Sequence, residues 1–106
     1  MIDPWNLLNE CRGFEWDRGN LTKNLRKHNV SVFEAEEIFL NRPFVTAHDA
    51  KHSHGEARYF ALGQTDQCRY LFVCFTIRKG LVRIISARDM SRKEKEVYES
   101  YEKTDP

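Results

Sequence analysis

Three arginines lie in segments that are rich in apolar and aromatic residues and are predicted to be strands. Arg58 precedes Tyr-Phe-Ala-Leu, whereas Arg83 and Arg88 enclose Ile-Ile-Ser-Ala. An arginine among apolar residues is costly unless its guanidinium has a partner. Because the guanidinium is a planar fork of donors that stays charged near neutrality, all three are candidates to bind a phosphate. The alternative for each is a structural ion pair with Glu56, Asp89 or the acidic helix.

The spacing between Arg83 and Arg88 decides whether these two residues can share a site. Arg83 interrupts an otherwise apolar alternate set in the predicted strand Leu81–Arg88. Five residues is an odd spacing, which points two side chains of a regular strand to opposite faces. They meet only if a bulge intervenes or if Arg88 lies beyond the end of the strand. We expect the second arrangement, because Asp89-Met90-Ser91 is typical of the approach to a helix.

Two further residues can exchange protons with a substrate. His28 ends a predicted helix, where the helix dipole favours the imidazolium and hence a general acid or a phosphate contact. A capping or core histidine is the alternative. Glu56 is the carboxylate of Gly55-Glu56-x-Arg58 and either acts as a base or orients Arg58.

One group of histidines has a spacing that resembles a metal site, namely His48-x-x-x-His52-x-His54 beside Asp49. It lies in a predicted loop with no helix to organise three ligands, so we predict neither a metal nor a cofactor. The odd number of cysteines and the lack of a CxxC pair argue against disulfides or a zinc knuckle. Cys74 is predicted to be a core residue, because its strand is apolar on both faces.

Length and composition predict one folded domain. The 106 residues are 41% hydrophobic and 12% aromatic, which argues against disorder. No apolar run approaches the roughly 20 residues of a membrane helix, and Met-Ile-Asp-Pro-Trp lacks the features of a secretory signal. We expect a cytoplasmic protein that does not bind membranes.

Charge is distributed unevenly along the chain. The net charge is +1, but eight basic and two acidic residues lie between Arg69 and Lys95, a surplus of six. Such asymmetry can build a basic patch for a polyanion or an acidic partner. The alternative is a mixed, solvated surface.

The first half of the chain is predicted to contain a short strand and two helices. The strand covers 14–17, the first helix covers 20–28, and Asn29 is a left-handed residue after its end. Ser31 and Glu34 form a capping box for the second helix, which Asn41-Arg42-Pro43 ends. The apolar residues of the second helix are expected on its buried side: Phe33, Ala35, Ile38 and Phe39. Residues 1–13 are an N-terminal extension, and 14–106 form a single domain.

The second half is predicted to be a meander of strands closed by a helix. Lys79-Gly80 makes the tight turn between the last two strands, and Ser91-x-x-Glu94 is a second capping box. The predicted order is β-α-α-β-β-β-β-α, an α+β domain with a helix pair and an antiparallel sheet. The strands are expected over 44–48, 58–63, 69–78 and 81–88.

Several short motifs in one order resemble the BrnT family of type II toxins. They cover most of the chain from Phe14 to Tyr98, and the Lys-His-x-Val and Arg-x-Ile-Ser-Ala-Arg strings are the most specific. The motifs are Phe14-x-Trp16-Asp17, Asn24-x-x-Lys27-His28-x-Val30, Gly55-Glu56-x-Arg58, Leu62-Gly63 and Arg83-Ile84-Ile85-Ser86-Ala87-Arg88.

This resemblance implies a RelE-like ribonuclease fold and RNA cleavage that inhibits translation. It also implies a cognate ribbon-helix-helix antitoxin that neutralises the toxin, with operator DNA contacted only through the antitoxin. On this interpretation RNA is cleaved without metal, by attack of a 2′-OH on the adjacent phosphate. The predicted catalytic residues are Arg58, Arg83, Arg88, His28 and Glu56, and the predicted RNA-binding residues are Lys27, Arg78, Lys79 and Arg92.

Two alternatives to a metal-independent endoribonuclease remain at this point. One is a catalytically inactive module of the same fold that only binds RNA or a partner. The other is a metal-dependent nuclease that uses the His48–His54 segment.

Overall fold

The computed structural model describes residues 7–16, 18–52 and 55–104. Within them the chain forms five strands and three α-helices, and the predicted α+β class is confirmed. In chain order the elements are β1 (Phe14–Glu15), α1 (Arg18–Lys27), α2 (Val32–Glu37), β2 (Val45–His48), a 3₁₀ turn (Ala50–His52), β3 (Arg58–Gln64), β4 (Tyr70–Arg78), β5 (Leu81–Asp89) and α3 (Arg92–Thr104).

The five strands form one mixed sheet in the order β1-β5-β4-β3-β2. Strands β2 to β5 are antiparallel, but β1 lies parallel to β5, with Phe14 beside Val82 and Glu15 beside Arg83. The predicted antiparallel arrangement is therefore confirmed for β2 to β5 and wrong for β1. The pairing of β1 joins the two ends of the domain, and no local pattern in either strand encodes such a contact.

The predicted turns and caps are confirmed. Ser31 and Glu34 exchange side-chain and backbone hydrogen bonds at the start of α2, and Ser91 and Glu94 do the same before α3. Asn29 adopts a φ of 53°, which an asparagine tolerates better than most residues. Lys79 and Gly80 both have positive φ, as a two-residue hairpin turn requires.

Three of the four residues that we predicted on the core side of helix α2, Ala35, Ile38 and Phe39, lie in or against the core, but Phe33 does not. Ala35 and Ile38 are fully buried, but Phe33 is 74% exposed. Successive helical residues are rotated by about 100°, so Phe33 lies roughly 200° from Ala35 around the helix axis. The prediction that Phe33 is buried is therefore wrong.

One face of the sheet, called here the covered face, carries the main core. Its central residues are apolar and fully or almost fully buried: Ala61, Leu71, Val73, Phe75, Val82, Ile84 and Ala87. Helix α1 runs beside β5 between Trp16 and Val30, which both pack into this core. The end of α2 approaches so closely that a Cβ on Gly63 would lie 2.8 Å from the Ile38 Cβ. Glycine is therefore required at position 63.

Among the described residues, the other face of the sheet is covered by a helix at one end. There α3 places Tyr98 in a small cluster with Val45, Leu62 and Met90, and the Tyr98 hydroxyl donates to the Pro43 carbonyl at 2.6 Å. The part of this face that α3 leaves uncovered is called the open face. Its residues are Glu15, Arg58, Phe60, Phe72, Cys74, Thr76, Arg83, Ser86 and Arg88.

Part of the predicted extension is integrated into the domain. Leu7, Leu8 and Cys11 pack against the main core, and the Val82 amide donates to the Gly13 carbonyl at 2.9 Å. Residues 1–6 lie outside the described part of the chain.

Candidate active site

The open face is arranged in rows that run across the strands. Arg58, Thr76 and Arg83 are direct neighbours in one row, and Glu15 on β1 extends that row beyond Arg83. The next row is Phe60, Cys74 and Ser86, and Phe72 with Arg88 follows. Because directly paired residues in neighbouring strands point to the same face, the three predicted catalytic arginines lie on one face of the sheet.

A bulge in β5 brings Arg83 and Arg88 to the same face. Cys74 pairs with Ser86 and Phe75 pairs with Ile84, which leaves Ile85 as an extra residue in β5. The extra residue corrects the odd spacing, so that the buried positions remain on the covered face while both arginines point to the open face. Arg88 lies within β5, and the expectation that it lies beyond the strand end is wrong.

The Arg58–Thr76–Arg83 row places an arginine on each side of a buried threonine. Two strand spacings of about 4.8 Å separate β3 from β5, so the two arginines start roughly 10 Å apart and can converge on a group between them. Thr76, between them in the row, is buried and donates its hydroxyl to the Ala57 carbonyl at 2.8 Å. This contact connects the centre of the row to the loop before β3.

Glu15 is a functional candidate that the sequence reasoning missed. It is half-buried on β1 and lies directly beside Arg83 in the sheet register. Its segment is a predicted strand, but only the parallel pairing of β1 with β5 places this carboxylate on the open face.

Arg88 is fixed in place by the first turn of α3. Its Nη1 and Nη2 donate to the two carboxylate oxygens of Glu94 at 2.8 and 2.9 Å, and its guanidinium lies 4.1 Å from the centroid of the Phe72 ring. These hydrogen bonds hold the pKa of Glu94 below its usual range. Glu94 also caps α3 through Ser91, so one carboxylate both begins the helix and orients an arginine of the open face.

Glu56 does not contact Arg58 as its sequence position suggested. Its carboxylate accepts from Nε and Nη2 of Arg78 at 3.1 and 2.9 Å. Both side chains are about two-fifths exposed, at the end of the sheet that carries Arg58. This ion pair neutralises one arginine that we predicted to contact RNA.

The centre of the open face contains two stacked rings and a thiol. The Phe60 and Phe72 centroids are 5.7 Å apart with their planes inclined by 20°. Cys74 is half-buried beside them, so its assignment to the core is wrong. Burial raises the pKa of the Cys74 thiol despite a hydrogen bond with Ser86, which keeps the thiol protonated and argues against a nucleophilic role.

His28 and Lys27 lie away from the open face. The His28 carbonyl accepts from Nη2 of Arg69 at 3.3 Å, and the Arg69 guanidinium also binds Asp89. Asp89 pairs with Leu71, so it belongs to the covered face. The structure therefore does not bring the predicted acid His28 to the three arginines of the open face, and Lys27 is exposed at the end of α1.

The remaining basic candidates lie at the margins. Lys79 is exposed in the β4–β5 turn, and Arg92 has a 96% exposed side chain at the start of α3. Neither belongs to the rows of the open face.

Only the His48 side chain of the histidine segment belongs to the described part of the chain. His48 lies edge-on to the Tyr59 ring at 5.7 Å, whereas the His52 side chain and all of His54 lie outside the described residues. Among the side chains that the structure describes, no three His, Cys, Asp or Glu residues gather into a group suited to a metal ion.

The fold and this face define a small α+β domain with clustered arginines on one side of its sheet. A family model described as the ribonuclease toxin BrnT of type II toxin–antitoxin systems matches residues 16–94. The chain therefore belongs to the BrnT family of ribonuclease toxins, as the sequence motifs indicated.

A solved structure supports the same fold. The crystal structure of the Brucella abortus ribonuclease toxin BrnT aligns with 76% of this chain and 97% of its own, with a TM-score of 0.57 and 22% sequence identity. No curated protein sequence matches the chain closely enough to count as a relative. Within residues 7–16, 18–52 and 55–104, no helix is both long and apolar enough to cross a membrane.

Proposed function

We propose that the chain is an endoribonuclease of RelE-like type that binds RNA on the open face and cleaves it without a metal ion. The observation that supports this most strongly is the row in which Arg58 and Arg83 flank the buried Thr76. Two arginines on opposite sides of a central residue can bind the non-bridging oxygens of a single phosphate. Membership of a ribonuclease toxin family supplies the reaction class.

In the proposed reaction the 2′-oxygen attacks the adjacent phosphorus as its proton leaves. A bond forms between the 2′-oxygen and phosphorus, and the bond from phosphorus to the 5′-oxygen breaks. The 5′-oxygen takes a proton from water as it leaves, so the products are a 2′,3′-cyclic phosphate and a 5′-hydroxyl end. Arg58 and Arg83 stabilise the additional negative charge of the pentacoordinate intermediate, which fixed donors in a partly dehydrated site do more effectively than water.

Glu15 is our choice for the group that accepts the 2′-proton. It lies beside Arg83, whereas Glu56 and Glu94 are each paired with another arginine. Glu56 keeps the role of positioning Arg78 at the end of the sheet. Arg88, held over Phe72, binds the RNA backbone two rows further along, and His28 takes no part in proton transfer.

The cellular role that we propose is inhibition of translation, with neutralisation by a cognate antitoxin. Membership of a type II toxin family implies an antitoxin. We propose a ribbon-helix-helix protein whose acidic segment covers the open face and which alone contacts operator DNA. Charge supports this placement, because a segment that binds Arg58 and Arg83 competes directly with RNA.

The proposed reaction is tested with the purified chain, an unstructured RNA and excess EDTA, with and without ribosomes. We expect 2′,3′-cyclic phosphate ends, and a loss of about 10²–10³-fold in rate for both R58A and R83A. R26A, which removes an exposed arginine of α1, is the matched control and should cleave like the wild type.

Three other results would each change the proposal. Full cleavage by R83A would overturn the assigned site, and cleavage that requires magnesium without ribosomes would overturn the metal-independent mechanism. RNA binding without cleavage in every condition would favour the inactive binding module.

A further inference from the structure

We propose that Phe60 is a stacking site for one unpaired nucleobase, and that this contact restricts the substrate to single-stranded RNA. This inference rests on the proposed function, because it assigns a second contact to the RNA whose phosphate Arg58 and Arg83 bind. It concerns a residue with no part in the chemical step.

Phe60 lies at the end of a stack of flat groups that spans three strands. The Arg88 guanidinium on β5 lies 4.1 Å from the Phe72 ring centroid on β4, and the Phe60 ring on β3 lies nearly parallel to that of Phe72. Glu94 holds Arg88 by two hydrogen bonds, so the stack is supported from its far end. A base that joins this stack therefore meets a surface that is already ordered.

The two rings of the stack have different surroundings. Phe72 packs against the small cluster beneath α3, whereas Phe60 belongs to neither hydrophobic cluster of the described residues. The direct neighbours of Phe60 in the sheet are Ala47 on β2 and Cys74 on β4, which are both small. Phe60 is therefore a half-buried aromatic ring whose direct partners in the sheet are small, and whose bulky neighbour on β4 is the Phe72 ring stacked against it.

The position of Phe60 relative to the arginines fits one nucleotide. Phe60 follows Arg58 by two residues on the same face of β3, a distance of about 7 Å along the strand. A base attached next to the phosphate between Arg58 and Arg83 can therefore reach the Phe60 ring. Every nucleobase has a flat face, so such a contact binds RNA with little preference for sequence.

Stacking on Phe60 requires a base that is not paired. In an RNA duplex the bases are stacked on one another and the deep major groove excludes side chains, so neither face of a base is accessible. The arginines alone bind single and double strands alike through their phosphates. Phe60 thus provides the discrimination that the arginines lack.

The inference is tested by the binding of a labelled 2′-O-methyl RNA 12-mer, which cannot be cleaved through the 2′-oxygen. Its dissociation constant is measured by fluorescence anisotropy, both as a single strand and annealed to its complement. We expect wild type to prefer the single strand and F60L to weaken that binding about tenfold with little change for the duplex. F60W keeps an aromatic face and should bind like the wild type.

Phe33 provides the matched control, because F33L is the same substitution at an exposed position of α2 on the helix side of the sheet. It should leave both dissociation constants unchanged. If F60L binds the single strand like wild type, or weakens single strand and duplex equally, the stacking site is overturned. If R58A and R83A also bind normally, the proposed RNA site itself fails, which separates the two conclusions.

Discussion

The two faces of the sheet are built by alternate residues of the same strands, yet they differ in how deeply their side chains are buried. Val73, Phe75 and Ile84 are fully buried on the covered face, where helices exclude water. On the open face, Phe72, Cys74 and Ser86 occupy alternating positions of the same strands and stay partly accessible. The apolar residues of the open face therefore need not form a core, because they lie among the arginines of the proposed binding surface, while the second cluster of this side lies beneath α3.

An arginine beside the covered face and an arginine of the open face also differ in their contacts. Arg69, beside the covered face, binds Asp89 through Nε and Nη2, Glu34 through Nη1, and the carbonyls of His28 and Asn29. These bonds connect the α1–α2 junction to the ends of β4 and β5, which is a structural role. Arg88 is oriented by one carboxylate and one ring while remaining part of the open face.

Deletion of Ile85 should have the largest effect, because it removes the residue that keeps both faces in register. Without the bulge, either Arg88 leaves the open face or the buried side chains of β5 leave the core. We expect a loss of about 3 kcal/mol or more in the free energy of unfolding, measured by urea denaturation, and no RNA cleavage. I85V keeps the bulge and should retain both properties. Wild-type stability in the deletion would show that the bulge is not needed.

Replacement of Arg69 should reduce stability without affecting cleavage. R69M keeps the apolar stem of the side chain but removes its hydrogen bonds. We expect the free energy of unfolding to fall by about 2 kcal/mol, because partial exposure of the partners limits the effect. Cleavage measured at a temperature where the variant is folded should be normal. A tenfold loss of cleavage in the folded variant would contradict the division between the two faces.

The same residue should control part of the response of stability to acid. Arg69 holds the pKa of Asp89 below its usual range, and with Ser31 it lowers the pKa of Glu34 although burial acts in the opposite direction. A carboxyl group whose pKa is lower in the folded state stabilises the fold above about pH 4. This stabilisation is lost as the pH falls through the pKa of the folded state. Thermal unfolding between pH 6 and 3 should therefore be less pH-dependent in R69M than in wild type. Identical slopes would exclude these carboxylates as the cause.

Glu94 tests whether the orientation of Arg88 matters. E94Q keeps an oxygen that can accept from the Ser91 amide but loses the ionic pair with Arg88. We expect kcat/KM to fall about tenfold, equivalent to about 1.4 kcal/mol, through a higher KM, because Arg88 is proposed to bind the RNA backbone and not the reacting phosphate. S91A is the control, since it weakens the helix cap by about 1 kcal/mol and should leave kcat/KM unchanged. Equal losses of kcat/KM in both variants would indicate an effect of helix stability alone.

His28 should show the smallest effect, because the structure places it on the helix side of the sheet. H28Q should change kcat/KM by less than about twofold, since its backbone carbonyl can still accept from Arg69. A loss of more than tenfold, with loss of the alkaline limb of the pH–rate profile, would restore His28 as the general acid.

Local features of this fold are predictable from the sequence, whereas the details of the site depend on distant contacts. Capping pairs and turn residues act within a few positions, so the boxes at Ser31 and Ser91 and the turn at Lys79 are found directly. Glu15 and Arg83 are neighbours in the sheet register, and Glu56 and Arg78 form an ion pair. Both contacts join segments that are far apart in sequence. The bulge at Ile85 also escapes pattern reasoning, because nothing in Ile84-Ile85-Ser86 marks which residue is extra.

The division of the arginines between the two faces can be observed directly in the Nε–Hε resonances of the ¹⁵N-labelled protein. A titration with the 2′-O-methyl RNA 12-mer should shift the resonances of Arg58, Arg83 and Arg88 and leave those of Arg69 and Arg26 unchanged. Shifts at Arg26 and Arg69 with none at Arg58 or Arg83 would place the RNA on the helix side and contradict the account.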